Sequence, residues 1–415
     1  MKIFISKNFN YDFLKIVSIL CACLIPLLVT GPFLPDLLLS SLSIWFIYYT
    51  LKNKIYKVYK NTYFYFFIFF WLFCILSSLL SDHVFFSLKS SLFYVRIGIF
   101  ALLISYIIDR YKKILDYFYY SFIITFSSLI IDGYFQYFTG LNLSGYPIQG
   151  IRVSSFFGHE LILGSYFVRL FPLFFALFII RPNKNNFEIY LISILFILID
   201  VLIFLSGERA SFILLNLSTL FVIFFISRYK LLRLGVFAIS LSIIIFLTFK
   251  NDKLYDRYII EPIDSFGINT EKFIIFTPVH DSLIKTSWQM FLDKPILGHG
   301  PKTFRFKCLD NKFNKKYDYC STHPHNFYMQ LLSETGIIGF LFLFLLFIYF
   351  IFLTCKHLFQ YLKYKRKFMS DYQISLLSGL LITIWPFTSS GSIFTNYLML
   401  IYGLQFGFFK KEKVS

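Results

Sequence analysis

Thr322-His323-Pro324-His325-Asn326, then Phe327 to Thr335, then Gly336-Ile337-Ile338-Gly339: this stretch closes a long polar segment and runs directly into an apolar one. An apolar run of that kind, continuing to about residue 355, is long enough to cross a bilayer. Two imidazoles and an amide therefore sit at a membrane boundary. Titratable groups held there cost free energy unless chemistry or transport uses them. The rest of the chain agrees with a lipid setting. It has 415 residues, 57% hydrophobic and 15% charged, with a mean hydropathy of +0.68. The expected fold class is an all-α integral membrane protein. The 58 Phe and 30 Tyr are read as lipid-facing filler, not as an aromatic binding device.

Working outward, apolar runs of spanning length occur near 13–30, 33–51, 62–80, 91–108, 114–131, 160–180, 189–205, 211–227, 234–249, 336–355, 373–389 and 393–409, about 12 spans by the roughly 20-residue criterion. The formal charge is +18, and its placement is informative. Lys2, Lys7, Lys15, Lys52, Lys54, Lys57, Lys60, Arg110, Lys112, Lys113, Arg181, Lys184, Arg228, Lys230 and Arg233 fall on one side. Lys356, Lys363, Lys365, Arg366, Lys367, Lys410, Lys411 and Lys413 join them, while the short loops of the other side hold only Lys89, Arg152 and Arg209. By the positive-inside rule this places both termini in the cytoplasm. No contiguous basic surface of the nucleic-acid-binding kind is visible, so nucleic acid is excluded as a partner.

The chain reads as a single polytopic membrane domain, 1–415, with two long non-cytoplasmic segments. One covers 132–159, punctuated by Gly140, Gly145, Pro147 and Gly150. The other covers 250–335, between spans nine and ten, and long segments of this kind are usually functional. Within it, Asp281–Leu292 has an amphipathic helical pattern with Leu283, Ile284, Trp288, Met290 and Phe291 among its apolar positions, suited to a membrane interface. Cys308 and Cys320 flank a short polar segment on the oxidising side and are expected to form a disulfide, with two free thiols as the alternative. No second Cys or His pair lies at ligand spacing around them, so no metal site is expected.

His325 titrates near neutrality and is the first choice for a base. Asn326 would orient it or a substrate hydroxyl, with Glu334 nearby. His323 ranks below it, because Pro324 is expected to turn the two rings in different directions. The plain alternative is a helix start at which His and Asn satisfy free backbone groups. Arg209, in Ser206-Gly207-Glu208-Arg209-Ala210-Ser211, lies at the outer end of a tight hairpin, where an arginine is disfavoured unless an anion holds it; a local pair with Glu208 is the alternative. Arg152, in Ile151-Arg152-Val153-Ser154-Ser155-Phe156-Phe157-Gly158-His159-Glu160, has the same logic. His159 and Glu160 are read as entering the sixth span. Gly298-His299-Gly300-Pro301, followed by Lys302, Arg305 and Lys307, can present backbone amides to an anion. A solvated basic loop is the commoner explanation for the lysines. Arginines suit a diphosphate and a base suits a hydroxyl nucleophile, a pairing that fits glycosyl transfer from a lipid diphosphate.

These features resemble the O-antigen ligase/polymerase superfamily of bacterial inner-membrane proteins. The ligase signature, His followed by Asn, Ser or Gln, nine residues, then G-x-x and Gly, Thr or Tyr, is matched by His325-Asn326 and Gly336-Ile337-Ile338-Gly339. The turn Pro295-Ile296-Leu297-Gly298-His299-Gly300 with Phe304, the Ser206–Ser211 hairpin and the segment from Arg152 to Gly164 are similar to its other elements. The likeness spans roughly 130–405. It implies a transferase that moves a polysaccharide from undecaprenyl diphosphate to a lipid A–core hydroxyl on the periplasmic face, inverting, without cofactor, ATP or metal. It also implies His325 as base and Arg152 and Arg209 as diphosphate ligands. Family members often carry an arginine shortly before the amphipathic helix; His280 stands in its place here, so His280, Arg305 or Arg257 is expected to supply the third contact. An O-antigen polymerase or a related exopolysaccharide or protein O-glycosylation enzyme is the alternative within the superfamily. A lipid-linked-sugar transporter ranks below them, since it predicts charges deep in several spans, whereas here only Arg96, Arg169 and Asp200 lie deep.

Overall fold

The computed structural model describes residues 11–182, 184–265, 277–314 and 319–409; Lys2, Lys7, Lys410, Lys411 and Lys413, counted above as cytoplasmic charge, lie outside the described residues. The longer helices are α1 (Asp12–Thr30), α2 (Phe33–Lys52), α3 (Thr62–Leu79), α4 (Val84–Arg110), α5 (Ile114–Thr139), α6 (Leu163–Ile180), α7 (Asn186–Leu205), α8 (Arg209–Phe225), α9 (Lys230–Lys250), α10 (Pro278–Asp293), α11 (Phe327–Tyr364), α12 (Asp371–Thr383) and α13 (Asn396–Phe408). Among the described residues there is no sheet, only two isolated antiparallel bridges in the α5–α6 connection. Nine helices there (α1 to α7, α9 and α11) are long and apolar enough to cross a membrane, and the chain is a multi-pass membrane protein. The other three helices that fall in the apolar runs are short: α8 has 17 residues, and α12 and α13 have 13 each.

Local chemistry sets the ends. Asn61 caps α3 by accepting from the amides of Tyr63 and Phe64, Asn185 caps α7 through Glu188, and Ser370 and Gln373 form a capping box on α12. Gly140 stops α5 in the left-handed region, φ 83°. The loop read as 132–159 therefore begins two turns later, because Asp132 and Gln136 are helical and turn inward to hold it. Asp132 accepts from the Leu143 amide and the Ser155 hydroxyl, and Gln136 from the Ser154 and Ser155 amides. At its far end α6 starts only at Leu163, so His159 and Glu160 are exposed loop residues and not part of a span.

Among the helices of spanning length α6 is the most buried, 89% of it, packed against α5, α7, α8 and α12. Pro172 sits inside it and removes the amide that would pair with the Val168 carbonyl, and side chains of α12 and α13 donate to nearby carbonyls. Ser375 donates to the Pro172 carbonyl and Gln405 to that of Arg169. Gly379 lets α12 approach the proline ring, to which an added Cβ would be 3.0 Å.

Two readings of charge change. Arg233 is not in a cytoplasmic loop. α9 begins at Lys230, one turn earlier than its hydropathy suggests, and Arg233 lies inside it, fully buried. Its guanidinium forks onto the Asp200 carboxylate at 2.7 and 3.1 Å and donates to Thr219. Asp200 is thus half of a buried ion pair, and Arg96 pairs with Asp36. The last two spans are also shorter than 373–389 and 393–409. Pro386 and Gly391 leave residues 384–395 outside the long helices, and this irregular segment lies within the bundle. Backbone of that kind is tolerated at membrane depth only where protein or a cavity lines it.

Candidate active site

The irregular segment 384–395 is where the His motif docks. Asn326 caps α11 by accepting from the amides of Tyr328 and Met329 while its Nδ2 donates to the Pro386 carbonyl. Ser390 donates its amide to the His325 carbonyl, the Tyr328 hydroxyl donates to Ile384, and Gln330 accepts from the Ile393 amide. Asn326 is therefore an anchor: its amide is spent on backbone and does not reach the imidazole.

His325 itself has φ 56°, a conformation that L residues rarely adopt. This kink follows the fixed φ of Pro324 and folds the chain back on itself. The two rings do not point apart as expected: their centroids are 4.1 Å apart. A third imidazole, His280 from the first turn of α10, meets His325 edge to face at 5.3 Å. Short hydroxyl contacts orient each ring: Ser321 Oγ lies 3.2 Å from Nε2 of His325, Thr322 Oγ1 2.9 Å from Nδ1 of His323, and Thr277 Oγ1 2.7 Å from Nδ1 of His280. Burial, with His280 alongside, brings the His325 pKa down to about 4; burial and then His325 bring His323 down to about 3; burial and Arg209 lower His280. All three are neutral, proton-accepting imidazoles at pH 7.

The α7–α8 hairpin gathers the arginines. Gly207, φ 67°, makes the turn, and an added Cβ there would strike Cγ of Arg152 at 2.6 Å. Arg152 donates to the Ser206 and Leu161 carbonyls, and Arg257 donates to the Gly207 carbonyl through Nε and Nη2. Glu208 does not pair with Arg209. Its carboxylate accepts from the Gly164 and Ser165 amides at the start of α6 and from the Ser211 hydroxyl. Arg209 turns instead to Glu261 Oε2 at 3.3 Å, which Arg257 also reaches at 2.7 Å. Two guanidiniums thus share one exposed carboxylate, with Arg152 within electrostatic reach of Arg257 and Glu208, and burial depresses Arg152. Arg209 lies within electrostatic reach of His280.

Of the two arginines weighed as the third contact, Arg257 joins this group, held on a π-helical turn, Asp256–Ile260. Arg305 lies past the histidines, within electrostatic reach of His323, with its guanidinium 5.3 Å from the Phe86 ring centroid. The reading of the sequence missed Glu261 and Tyr258, whose hydroxyl donates to the Phe204 carbonyl. The Arg257–Glu261 spacing of four was the legible signal.

Glu334 has a different place from the one expected. Fully buried, it accepts from the Lys302 and Phe304 amides and from Gln330 Nε2. The glycine turn does present amides to an anion, and that anion is the protein's own carboxylate. The turn is also held through its backbone, His299 donating to Ser333 and Gly300 to Glu334. Gly336, φ 63°, breaks α11 so that Ile337 donates to Pro295; a Cβ there would sit 2.3 Å from the Ile296 carbonyl oxygen. Cys308 and Cys320 form a disulfide, Cα atoms 5.4 Å apart, which ties the end of the short helix after the turn to the segment leading into His323. The amphipathic helix α10 buries Leu283, Thr286, Ser287 and Met290 against its neighbours and leaves Trp288 exposed. Among the described residues no group of three His, Cys, Asp or Glu side chains is placed to hold a metal ion.

A basic arc flanking a neutral imidazole cluster is what a diphosphate leaving group and a hydroxyl nucleophile require together. Residues 193–344 match the family described as O-antigen ligase, and the chain carries that family's domain over this range. The range includes Arg209, Arg257, His280, Arg305, His323, His325 and Glu334, but not Arg152. No curated protein matches the chain.

Proposed function

We propose that the O-antigen ligase domain of this chain serves an inverting, lipid-linked polysaccharide transferase of the bacterial inner membrane. The donor is a polysaccharide on undecaprenyl diphosphate and the acceptor a lipid A–core hydroxyl. In this reading the chain crosses the membrane about 12 times, with α8, α12 and α13 as short spans, both termini cytoplasmic, and the segments 132–159 and 250–335 facing the periplasm as parts of one membrane domain.

The observation that carries it is His325, neutral and half-buried, in ring contact with His280, which lies within electrostatic reach of Arg209. Arg209 and Arg257 share one carboxylate, which leaves the hairpin arginine group with net positive charge for a diphosphate. Guanidinium forks match phosphate oxygens better than an ammonium does. In the reaction the acceptor oxygen attacks the anomeric carbon from the face opposite the leaving group. Its proton passes to the His325 imidazole, and the bond from carbon to diphosphate oxygen breaks. The electron pair stays on the diphosphate, where the arginines stabilise it, so the proposed chemistry needs no cofactor. Inversion follows from a single displacement.

The test is the lipopolysaccharide profile of a deletion strain beside a blot of its lipid-linked polymer. Bare lipid A–core with polymer accumulating on the carrier supports the ligase. Core capped by one repeat unit assigns the polymerase activity in its place, and an unchanged profile overturns both.

A further inference from the structure

His325 is in ring contact with an imidazole on each side, His280 and His323, and each of those has an arginine of its own. Arg209 lies within electrostatic reach of His280, and Arg305 within reach of His323, whose Nε2 is buried and bonded to nothing among the described residues. Arg305 is not alone there. Lys302, just past the glycine turn, lies within electrostatic reach of Arg305 and of Lys89 at the start of α4. The turn is packed on the α3–α4 corner: Ser81 donates its hydroxyl to the His299 carbonyl, and an added Cβ on Gly300 would strike the Ser81 side chain at 2.6 Å.

The other cations near this turn are neutralised. Lys294 and Lys307 both pair with Asp82, Lys312 pairs with Asp293, and Arg96 pairs with Asp36. Lys89, Lys302 and Arg305 are left over: among the described residues none of their side chains has a hydrogen bond or an ion pair. Arg305 Nε is buried without a partner, with the guanidinium against the Phe86 ring. Glu334 lies within electrostatic reach of Lys302 and Arg305, but its oxygens already accept from the Lys302 and Phe304 amides and from Gln330. Three cations against one saturated carboxylate leave positive charge over. Burial first, then Arg305, then Lys89 and Arg96 push the Lys302 pKa down against the pull of Glu334. Lys302 is therefore half-buried among like charges, not the solvated loop residue its sequence suggests. An arriving anion would relieve that repulsion.

The cluster also reaches the lipid surface. Lys89 is exposed on α4, four residues from Phe85 and from Phe93, which are 92% and 59% exposed. A cation between two exposed rings at the end of a spanning helix suits an anionic head group on apolar chains.

We propose that Lys89, Lys302 and Arg305 bind phosphate on the acceptor glycolipid, whose acyl chains lie against Phe85 and Phe93 and whose hydroxyl approaches His325 from the His323 side. The inference rests on the transfer reaction proposed above: the donor diphosphate takes the Arg209 side, and the second substrate takes the side with unspent cations. An uncharged acceptor, such as a protein hydroxyl, has no use for them.

The experiment uses the full-length protein in lipid nanodiscs, with fluorescent lipid A–core as acceptor, either native or dephosphorylated. Binding is read first without donor, and transfer from the undecaprenyl-linked polysaccharide second. Dephosphorylation should weaken binding and raise the acceptor KM roughly tenfold, with kcat and the donor KM unchanged. A double variant, Lys89→Gln with Arg305→Gln, should lose as much with the native acceptor and nothing further with the dephosphorylated one. Arg305→Lys, which keeps the charge, should retain most of the preference. Equal binding of the two acceptors by the wild type overturns the proposal, and so does a double variant that loses equally on both. Displacement of the native acceptor by phosphatidylglycerol as readily as by unlabelled lipid A–core would make this a general anionic-lipid contact and overturns it too. Tighter displacement by undecaprenyl diphosphate carrying one repeat unit supports phosphate recognition and overturns lipid A–core as the occupant. Phosphate-dependent binding without transfer from any donor would leave the site standing and overturn the reaction.

Discussion

His280 meets His325 edge to face, ring centroids 5.3 Å apart, and lies within electrostatic reach of Arg209. Arg209 lowers the proton affinity of His280, and His280 that of the base. An arriving diphosphate would reverse that field, raising the basicity of His325 when the acceptor needs it.

His325→Ala should abolish transfer while protein level and thermal stability stay near wild type. Loss of a general base costs about 10²–10⁴-fold in kcat. Wild-type transfer by this variant at normal abundance would remove the base assignment. His323→Ala is expected to be milder, since that ring touches the base and not the proton in flight.

The acid limb of kcat/KM reports the free enzyme's base. With the His325 pKa lowered to about 4, the neutral form persists well below the ordinary imidazole value near 6.5, and activity falls only as pH drops through about 4. Burial is the first cause and His280 the second. His280→Ala should therefore move the limb towards higher pH. A pH–rate profile that stays in place would separate His280 from the base.

Arg209→Lys and Arg257→Lys keep the charge and lose the fork. Each should raise the donor KM and lower kcat/KM by roughly tenfold, as expected for lost bidentate contacts of about 1.5–3 kcal/mol. Glu261→Gln has the opposite sign: it removes the carboxylate that both arginines share, so donor binding should tighten. A weaker donor KM in that variant would show that Glu261 positions the arginines and does not compete for them.

Glu334→Gln tests the carboxylate of the motif. A carboxamide would turn its NH₂ towards the Lys302 or Phe304 amide that now donates to Glu334. Stability should fall by about 1–3 kcal/mol, read as a lower melting temperature, with the pH–rate profile unmoved. A shifted acid limb at unchanged stability would instead make Glu334 part of proton transfer.

Gly336→Ala places a Cβ 2.3 Å from the Ile296 carbonyl oxygen at φ 63°. With ψ −163° this backbone conformation is open essentially to glycine alone and costs an L residue about 1–3 kcal/mol, and the clash adds to it, so the variant should melt earlier and accumulate less. Normal stability would mean that α11 tolerates a straight path here.

Much was legible in the residue order. Runs of apolar side chains long enough for a bilayer report spanning helices because no other element satisfies its own backbone in lipid. The His325-Asn326 motif, the hairpin arginines and the cysteine pair also stand out locally. What was not legible depends on where a side chain's partner comes from. Arg233 reads as loop charge until Asp200, on another helix, is seen to hold it. Glu334 reads as a helper of His325 until the glycine turn's amides arrive at its oxygens.

Sequence alone, then, determined the membrane class, the helical runs and the residues worth suspecting, because hydropathy and helix punctuation are properties of neighbours in the chain. Tertiary structure decided that His323 faces His325, that Arg257 and not Arg305 joins Arg152 and Arg209, and that α12 and α13 stop short to seat the motif. Those outcomes turn on single backbone angles and on contacts between segments far apart in sequence, such as the left-handed φ of His325 and the amide of Ser390 on its carbonyl. No local pattern encodes them.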